Sequence, residues 1–111
     1  MATYSSFLNY VTSPATTGYN TLLDVIANDR TVATFVISNN GISAASVSIT
    51  VHDSDGDKLF TLLPSYSLEA SASQSIDARS INVPSGYQVM VTSDSADVDV
   101  CASGVIAENQ S

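Results

Sequence analysis

Apolar residues along this 111-residue chain recur at every second position, not at helical spacing. No stretch of twelve or more residues keeps them three and four apart, whereas two-residue alternation returns between clusters of Gly, Ser, Asn and Asp. The pattern predicts an all-β chain, with strands over 21–27, 31–38, 45–51, 59–63, 75–83, 87–92 and 97–106. Short strands at this turn frequency imply a single antiparallel β-sandwich of about seven to eight strands, jelly-roll or immunoglobulin-like.

The first twenty residues break the pattern. "MATYSSFLNYVTSPATTGYN" scatters Tyr4, Phe7, Tyr10 and Tyr19 among Ser and Thr without sustained alternation. It reads as an extended N-terminal arm over 1–20, ahead of a sandwich over 21–106 and a tail over 107–111. Such an arm either anchors its aromatic side chains in a neighbouring subunit or folds back as a first strand.

Residues 31–38, "TVATFVIS", set Val32 and Val36 on one face and Ala33, Phe35 and Ile37 on the other. A strand apolar on both faces needs cover on both. That cover is the opposite sheet and the arm, or a subunit interface.

Three turns predict registers, because a slip of one residue moves every side chain to the other face. In "HDSDGDKL" a two-residue loop at Asp55-Gly56 would oppose Val51 to Phe60, Thr50 to Thr61, Ile49 to Leu62 and Asp53 to Lys58. A slip setting Asp53 against Asp57 would break that apolar ladder. A loop at Asp94-Ser95 would pair Val91 with Val98 and Val89 with Val100, and one at Asn40-Gly41 would pair Val32 with Ile49 and Val36 with Ala45, unless these last strands belong to different sheets.

Composition narrows the function. Three basic residues, Arg30, Lys58 and Arg79, stand against eleven acidic ones, leaving a net charge of −8. No basic cluster is present to neutralise successive phosphates, so nucleic acid is not an expected partner. An anionic membrane surface would repel the chain, and no apolar run approaches the roughly 20 residues that span a bilayer. The start lacks the charged and apolar regions of a secretion signal. With 19 serines and 10 threonines, the surface should be rich in hydroxyls. Cys101 is the single cysteine, so no internal disulfide forms.

Candidate chemistry is sparse. Asp53, Asp55 and Asp57 resemble the start of a calcium loop. Counting from Asp53, however, Gly56 falls at the fourth position, Lys58 at the sixth and Pro64 at the twelfth, where a bidentate Glu belongs. The stretch reads as an acidic loop tip, and no metal site is expected. His52 and Asp53 are neighbours on a strand and point to opposite faces, and no G-x-S-x-G elbow exists, so no catalytic residues are assigned. One His and one Cys cannot build a zinc cluster. Asp97 and Asp99, with Asp94 nearby, read as a solvated strand face. Gly41, Gly56 and Gly86 are explicable as turn residues, and no cofactor-binding motif is present.

Three stretches carry a family likeness: "TYSSFLNYVTSPATTGYNTLLDVIAND", "TVATFVISNNGISAASVSITV" and "SINVPSGYQVMVTSDSADVDVCASGV". Together they resemble small all-β structural proteins of tailed-phage virions, on Ser38-Asn39, then Val83, Gly86, Val89, Val91 and Ser93, then Ser103-Gly104-Val105. The likeness departs at Tyr87, where an acidic residue commonly follows the glycine. It implies a capsid decoration, or cement, protein that binds the major capsid protein on the outer shell of the virion, commonly as a homotrimer, after assembly in the host cytoplasm. Tyr4, Phe7, Tyr10, Phe35 and Ile37 would then form the subunit or capsid interface. The alternatives are a tail- or fibre-associated virion module and an extracellular carbohydrate-binding module; an enzyme is not expected.

Overall fold

A strand that alternates apolar and polar residues must bury one face, and in this chain two sheets do so against each other. The computed structural model describes residues 3–108. Its strands are β1 (Thr3–Thr12), β2 (Asn20–Asp24), β3 (Arg30–Asn39), β4 (Ala45–Asp53), β5 (Lys58–Leu68), β6 (Ser73–Val83), β7 (Tyr87–Ser93) and β8 (Val98–Glu108). Sheet A has the order β1-β8-β3-β6 and sheet B the order β2-β7-β4-β5, with antiparallel neighbours throughout. Successive strands change sheet at every connection but β4 to β5. This winding is the double Greek key of a jelly roll.

The core lies between the sheets. Val32, Phe35, Ile37, Val98, Val100 and Ala102 of sheet A face Leu23, Val47, Ile49, Val89 and Val91 of sheet B. Burying each such Val, Ile, Leu or Phe contributes about 1.5–3 kcal/mol. One polar side chain is built into the edge of this core. Asn39 is buried, donates from Nδ2 to the carbonyls of Ser43 (2.8 Å) and Leu68 (3.1 Å), and accepts at Oδ1 from the Gly41 N–H (3.0 Å). Its three bonds tie the end of β3 to the crossover loop and to the end of β5.

Of the two readings of the first twenty residues, folding back as a first strand holds for 3–12, and the separate arm is corrected. β1 pairs with β8 in unbroken register from Thr3–Glu108 to Thr12–Asp99. Alternation was hidden because both faces carry large apolar groups, Phe7 and Val11 against the core and Tyr4, Leu8 and Tyr10 outside. The tail is shortened too, since β8 continues through Ala107 to Glu108; the rest of the predicted tail, 109–111, lies outside the described residues.

Two predicted hairpins do not form. β7 and β8 belong to different sheets, as do β3 and β4. Val91 pairs with Ile49 and Val100 with Ile37, so the valines of β7 and β8 meet across the core instead of along a ladder. Alternation states which face a residue takes, and both arrangements satisfy it.

The β4–β5 hairpin forms with a different tip. Gly56 N–H donates to the Asp53 carbonyl and Asp53 N–H to the Asp57 carbonyl, each at 3.0 Å. The loop is therefore three residues, 54–56, with Gly56 in the left-handed region at φ 88°. This sets Asp53 against Asp57 and His52, instead of Asp53, against Lys58. An extra residue, Leu59, then restores Val51 to Phe60 and Thr50 to Thr61, and a second, Leu62, moves the partner of Ile49 to Leu63.

Candidate functional site

Directly opposed residues of a sheet share a face. Across the outer side of sheet A, Tyr10, Cys101, Val36 and Ser75 form one row, and Leu8, Ser103, Thr34 and Asp77 the next. Ser6, Val105, Thr31 and Asn82 form a third, with Tyr4 and Ala107 beyond. At the β1 end of these rows the side chains are large, apolar and open: Tyr4 is 68% exposed, Leu8 62%, Tyr10 67% and Val105 38%. The outer side of sheet B carries Ser46, Ser48, Thr50, Thr61, Gln88, Met90 and Thr92, with the exposed Tyr19 ring packed over His52. One outer face is thus apolar and aromatic at its β1 end, and the other is largely polar apart from Met90 and Tyr19. Contiguous exposed apolar patches are a common feature of interaction sites.

The five predicted interface residues separate. Tyr4 and Tyr10 lie on the apolar outer face. Phe7 lies on the inner side of β1, partly buried against the core, with the Arg30 guanidinium 5.9 Å from its ring centre. Phe35 and Ile37 are core residues at 2% and 0% exposure and present no surface to a partner. The reason is a bulge. Against β8 the strand carries Ala33 as an extra residue, and against β6 this one residue opposes 78–80, so Val32 before it and Phe35 and Ile37 after it turn to the same side. The strand that reads as apolar on two faces turns Val32, Phe35 and Ile37 to one, and of its larger apolar residues leaves Val36 on the other. Leu8 and Val105 were missed, and only a strand assignment for 3–12 would have aligned Tyr4, Leu8 and Tyr10.

Glycine permits the bulge. A Cβ on Gly104 of β8 would overlap the carbonyl oxygen of Thr31, just before Ala33. Ser38-Asn39 and Gly104, which carry part of the family likeness, are thus accounted for by construction: a buried amide knot and a close backbone approach.

Four acidic residues, Asp29, Asp53, Asp77 and Asp94, accept backbone N–H groups. Asp53 Oδ1 accepts the N–H groups of Asp55 and Asp57, both at 3.0 Å, and so caps the hairpin tip. Asp94 accepts from Ser46 N–H (2.8 Å), Asp77 from Arg79 N–H (2.8 Å), and Asp99 from the Asn40 amide (2.8 Å). Among the described residues no group of three His, Cys, Asp or Glu side chains could hold a metal ion.

His52 is buried. The Gly56 carbonyl, 3.1 Å from Nδ1, can only accept, so Nδ1 carries a proton, and Nε2 meets the Thr50 hydroxyl at 2.9 Å. The Tyr19 ring packs edge-on at 4.4 Å. The imidazole clasps the hairpin tip to β4. A shallow cleft of about 180 Å³ opens between β5 and β6, walled by Leu59, Phe60, Ile81, Pro84 and Tyr87; among its lining residues none is charged.

No protein-family model matches the chain, and no curated protein matches it in sequence. Solved structures do share its fold. A chain from the structure of infectious bursal disease virus, Gx strain, superposes on 97% of this chain and 33% of its own length, with TM-score 0.50 and 9% identity. A chain of the T13 particle of the same virus covers 94% and 31%, with TM-score 0.50 and 7% identity. The Drosophila NLP core, a structure described for pentamer formation and histone binding, covers 99% of this chain and 100% of its own, with TM-score 0.50 and 8% identity. The chain spans about a third of the length of the viral chains. At these identities the likeness is one of fold: an eight-stranded jelly roll of an architecture also present in viral particles and in the NLP core.

Proposed function

We propose that this jelly roll is a non-enzymatic virion protein, a decoration or cement protein that binds the outer surface of a tailed-phage capsid and stabilises it. The observation that carries the reading is the asymmetry of the sandwich. Tyr4, Leu8, Tyr10 and Val105 make an open apolar patch at the β1 end of sheet A, whereas the outer side of sheet B is largely polar apart from Met90 and Tyr19. A few large side chains, Tyr prominent among them, supply most of the binding energy of an interface, and a largely polar face suits the side left in solvent. The sequence likeness to tailed-phage virion proteins supports the same reading, and the jelly roll is compatible with it.

The mechanism is binding. Contacts available only on the assembled shell stabilise that shell by mass action, to an extent that grows with the logarithm of the decorating protein's concentration over its dissociation constant. The major capsid protein is the partner, and the site of action is the virion surface.

The test is to mix the purified chain with expanded, undecorated capsids and to follow co-sedimentation and shell melting. Saturable binding and a raised shell melting temperature are expected. Leu8→Lys, which changes an exposed side chain and leaves the fold intact, should weaken binding by about tenfold or more, or 1.4 kcal/mol. Failure of the unaltered chain to bind any form of the capsid refutes the proposal.

A further inference from the structure

We infer that β1 pairs with β1 of a second copy of this chain, antiparallel, joining two A sheets into one eight-stranded sheet. The two sheet orders leave β1, β6, β2 and β5 as outer strands. Three of these are broken in ways that deter pairing. β6 opposes three residues, 78–80, to the single Ala33 of β3, and Arg79 and Ser80 take left-handed φ values of 56° and 57°. β5 shifts register three times, contains Pro64, and holds Ser65 at φ 37°. β2 is five residues long and slips between Thr21 and Leu23. β1 alone runs ten residues with no shift against its neighbour.

Charge selects the occupant. Two copies of a chain of net charge −8 repel each other over most of their surface. β1, "TYSSFLNYVT", contains no Asp, Glu, Lys or Arg, so it is a strand along which copies can meet without opposing charges. It is also self-complementary. With Phe7 opposite the second copy's Phe7, Tyr4 falls opposite the second copy's Tyr10, and Tyr10 opposite its Tyr4. Aromatic side chains then meet on both faces, Phe7 with Phe7 at the two-fold axis and two Tyr–Tyr pairs outside. The outer apolar faces become one continuous surface. Such a pair is isologous and closes at two copies, in place of the trimer implied by the family likeness.

This inference concerns the chain alone and does not rest on the virion reading. Sedimentation of the unaltered protein over a concentration series should approach twice the 11.6 kDa of one chain. In a Cys101→Ala background, a mixture of Tyr4→Cys and Tyr10→Cys chains should form a disulfide-linked pair on mild oxidation, because opposed Cβ atoms lie about 4.5–5.5 Å apart. Neither variant alone should cross-link, since its own cysteines would sit six residues out of register, roughly 20 Å apart. A monomer at every concentration, a particle of three chains, or equal cross-linking in the single variants would each overturn the inference. The mass measurement needs no variant, so a folding defect in a cysteine variant does not affect it.

Discussion

Gly104 and Gly56 separate two reasons for glycine. A side chain at Gly56 would meet nothing within 4 Å, but the residue sits at φ 88°, so Gly56→Ala costs only the left-handed conformation, about 1–2 kcal/mol. Gly104 takes no left-handed φ, yet its added Cβ would strike the Thr31 carbonyl oxygen, a backbone atom that cannot swing aside. Relief requires moving the β3 bulge, and with it the inward aim of Val32, Phe35 and Ile37. Gly104→Ala should therefore cost about 3 kcal/mol or more, at the upper end of overpacking penalties. Thermal unfolding of the two variants checks this. At about 4 °C per kcal/mol, the Gly104 variant should melt some 10 °C or more below the parent and below the Gly56 variant. Equal shifts would remove the steric argument for the bulge.

Among the elements, deletion of residues 1–12 distinguishes a strand from an arm. An arm used only for association could be removed without loss of fold. β1 is hydrogen-bonded along β8 and seats Phe7 and Val11 on the core, so its removal exposes one edge of β8 and part of the apolar interior. The truncated chain should lose several kcal/mol, seen as a large fall in the denaturant midpoint, and self-association should fail with it. A truncated monomer of unchanged stability would show that β1 contributes only to association.

The same strand shows what alternation could and could not reveal. Most of the other strands were legible because one face of each is polar, although β3 reads as apolar on both and the reading of β5 stops at Leu63, short of its end at Leu68; β1 has no polar face to give contrast. The placement of residues on faces was read correctly for β7 and β8, but not their neighbours, since facing valines across a core produce the same pattern as valines along a ladder. Bulges were invisible altogether. The bulge at Ala33 turns Val32, Phe35 and Ile37 to one face, so Phe35 and Ile37 read as surface candidates although they are core. Tyr4 and Tyr10 were legible as exposed aromatics, and their common face with Leu8 and Val105 was not. The loop at Asp53–Asp57 was correctly read as a hairpin, and its carboxylate proved to be a cap for two backbone N–H groups.

For the molecule as a whole, the decisive quantity is the imbalance of eleven acidic and three basic residues on a body of 50 × 26 × 19 Å. Two like charges 10 Å apart in water repel by about 0.4 kcal/mol, and many such pairs fit on this surface. At about 0.01 M salt the Debye length is about 30 Å, longer than the two shorter dimensions, so the carboxylates act on one another across the fold; at about 0.1 M it falls to about 10 Å and most of that repulsion is screened. Opposing this are the bonds from Asp53, Asp77 and Asp94 to backbone N–H groups, all within 3.0 Å. Contacts that short are screened far less than the long-range repulsion. Raising salt from about 0.01 M to about 0.1 M should therefore raise the melting temperature by a few degrees, and should also favour self-association through the uncharged β1. Parallel melting and sedimentation series at the two salt concentrations check both effects. A melting temperature that falls with salt would show that local carboxylate bonds outweigh net repulsion. Tighter association at low salt would place charged residues in the contact and exclude β1 as the meeting strand.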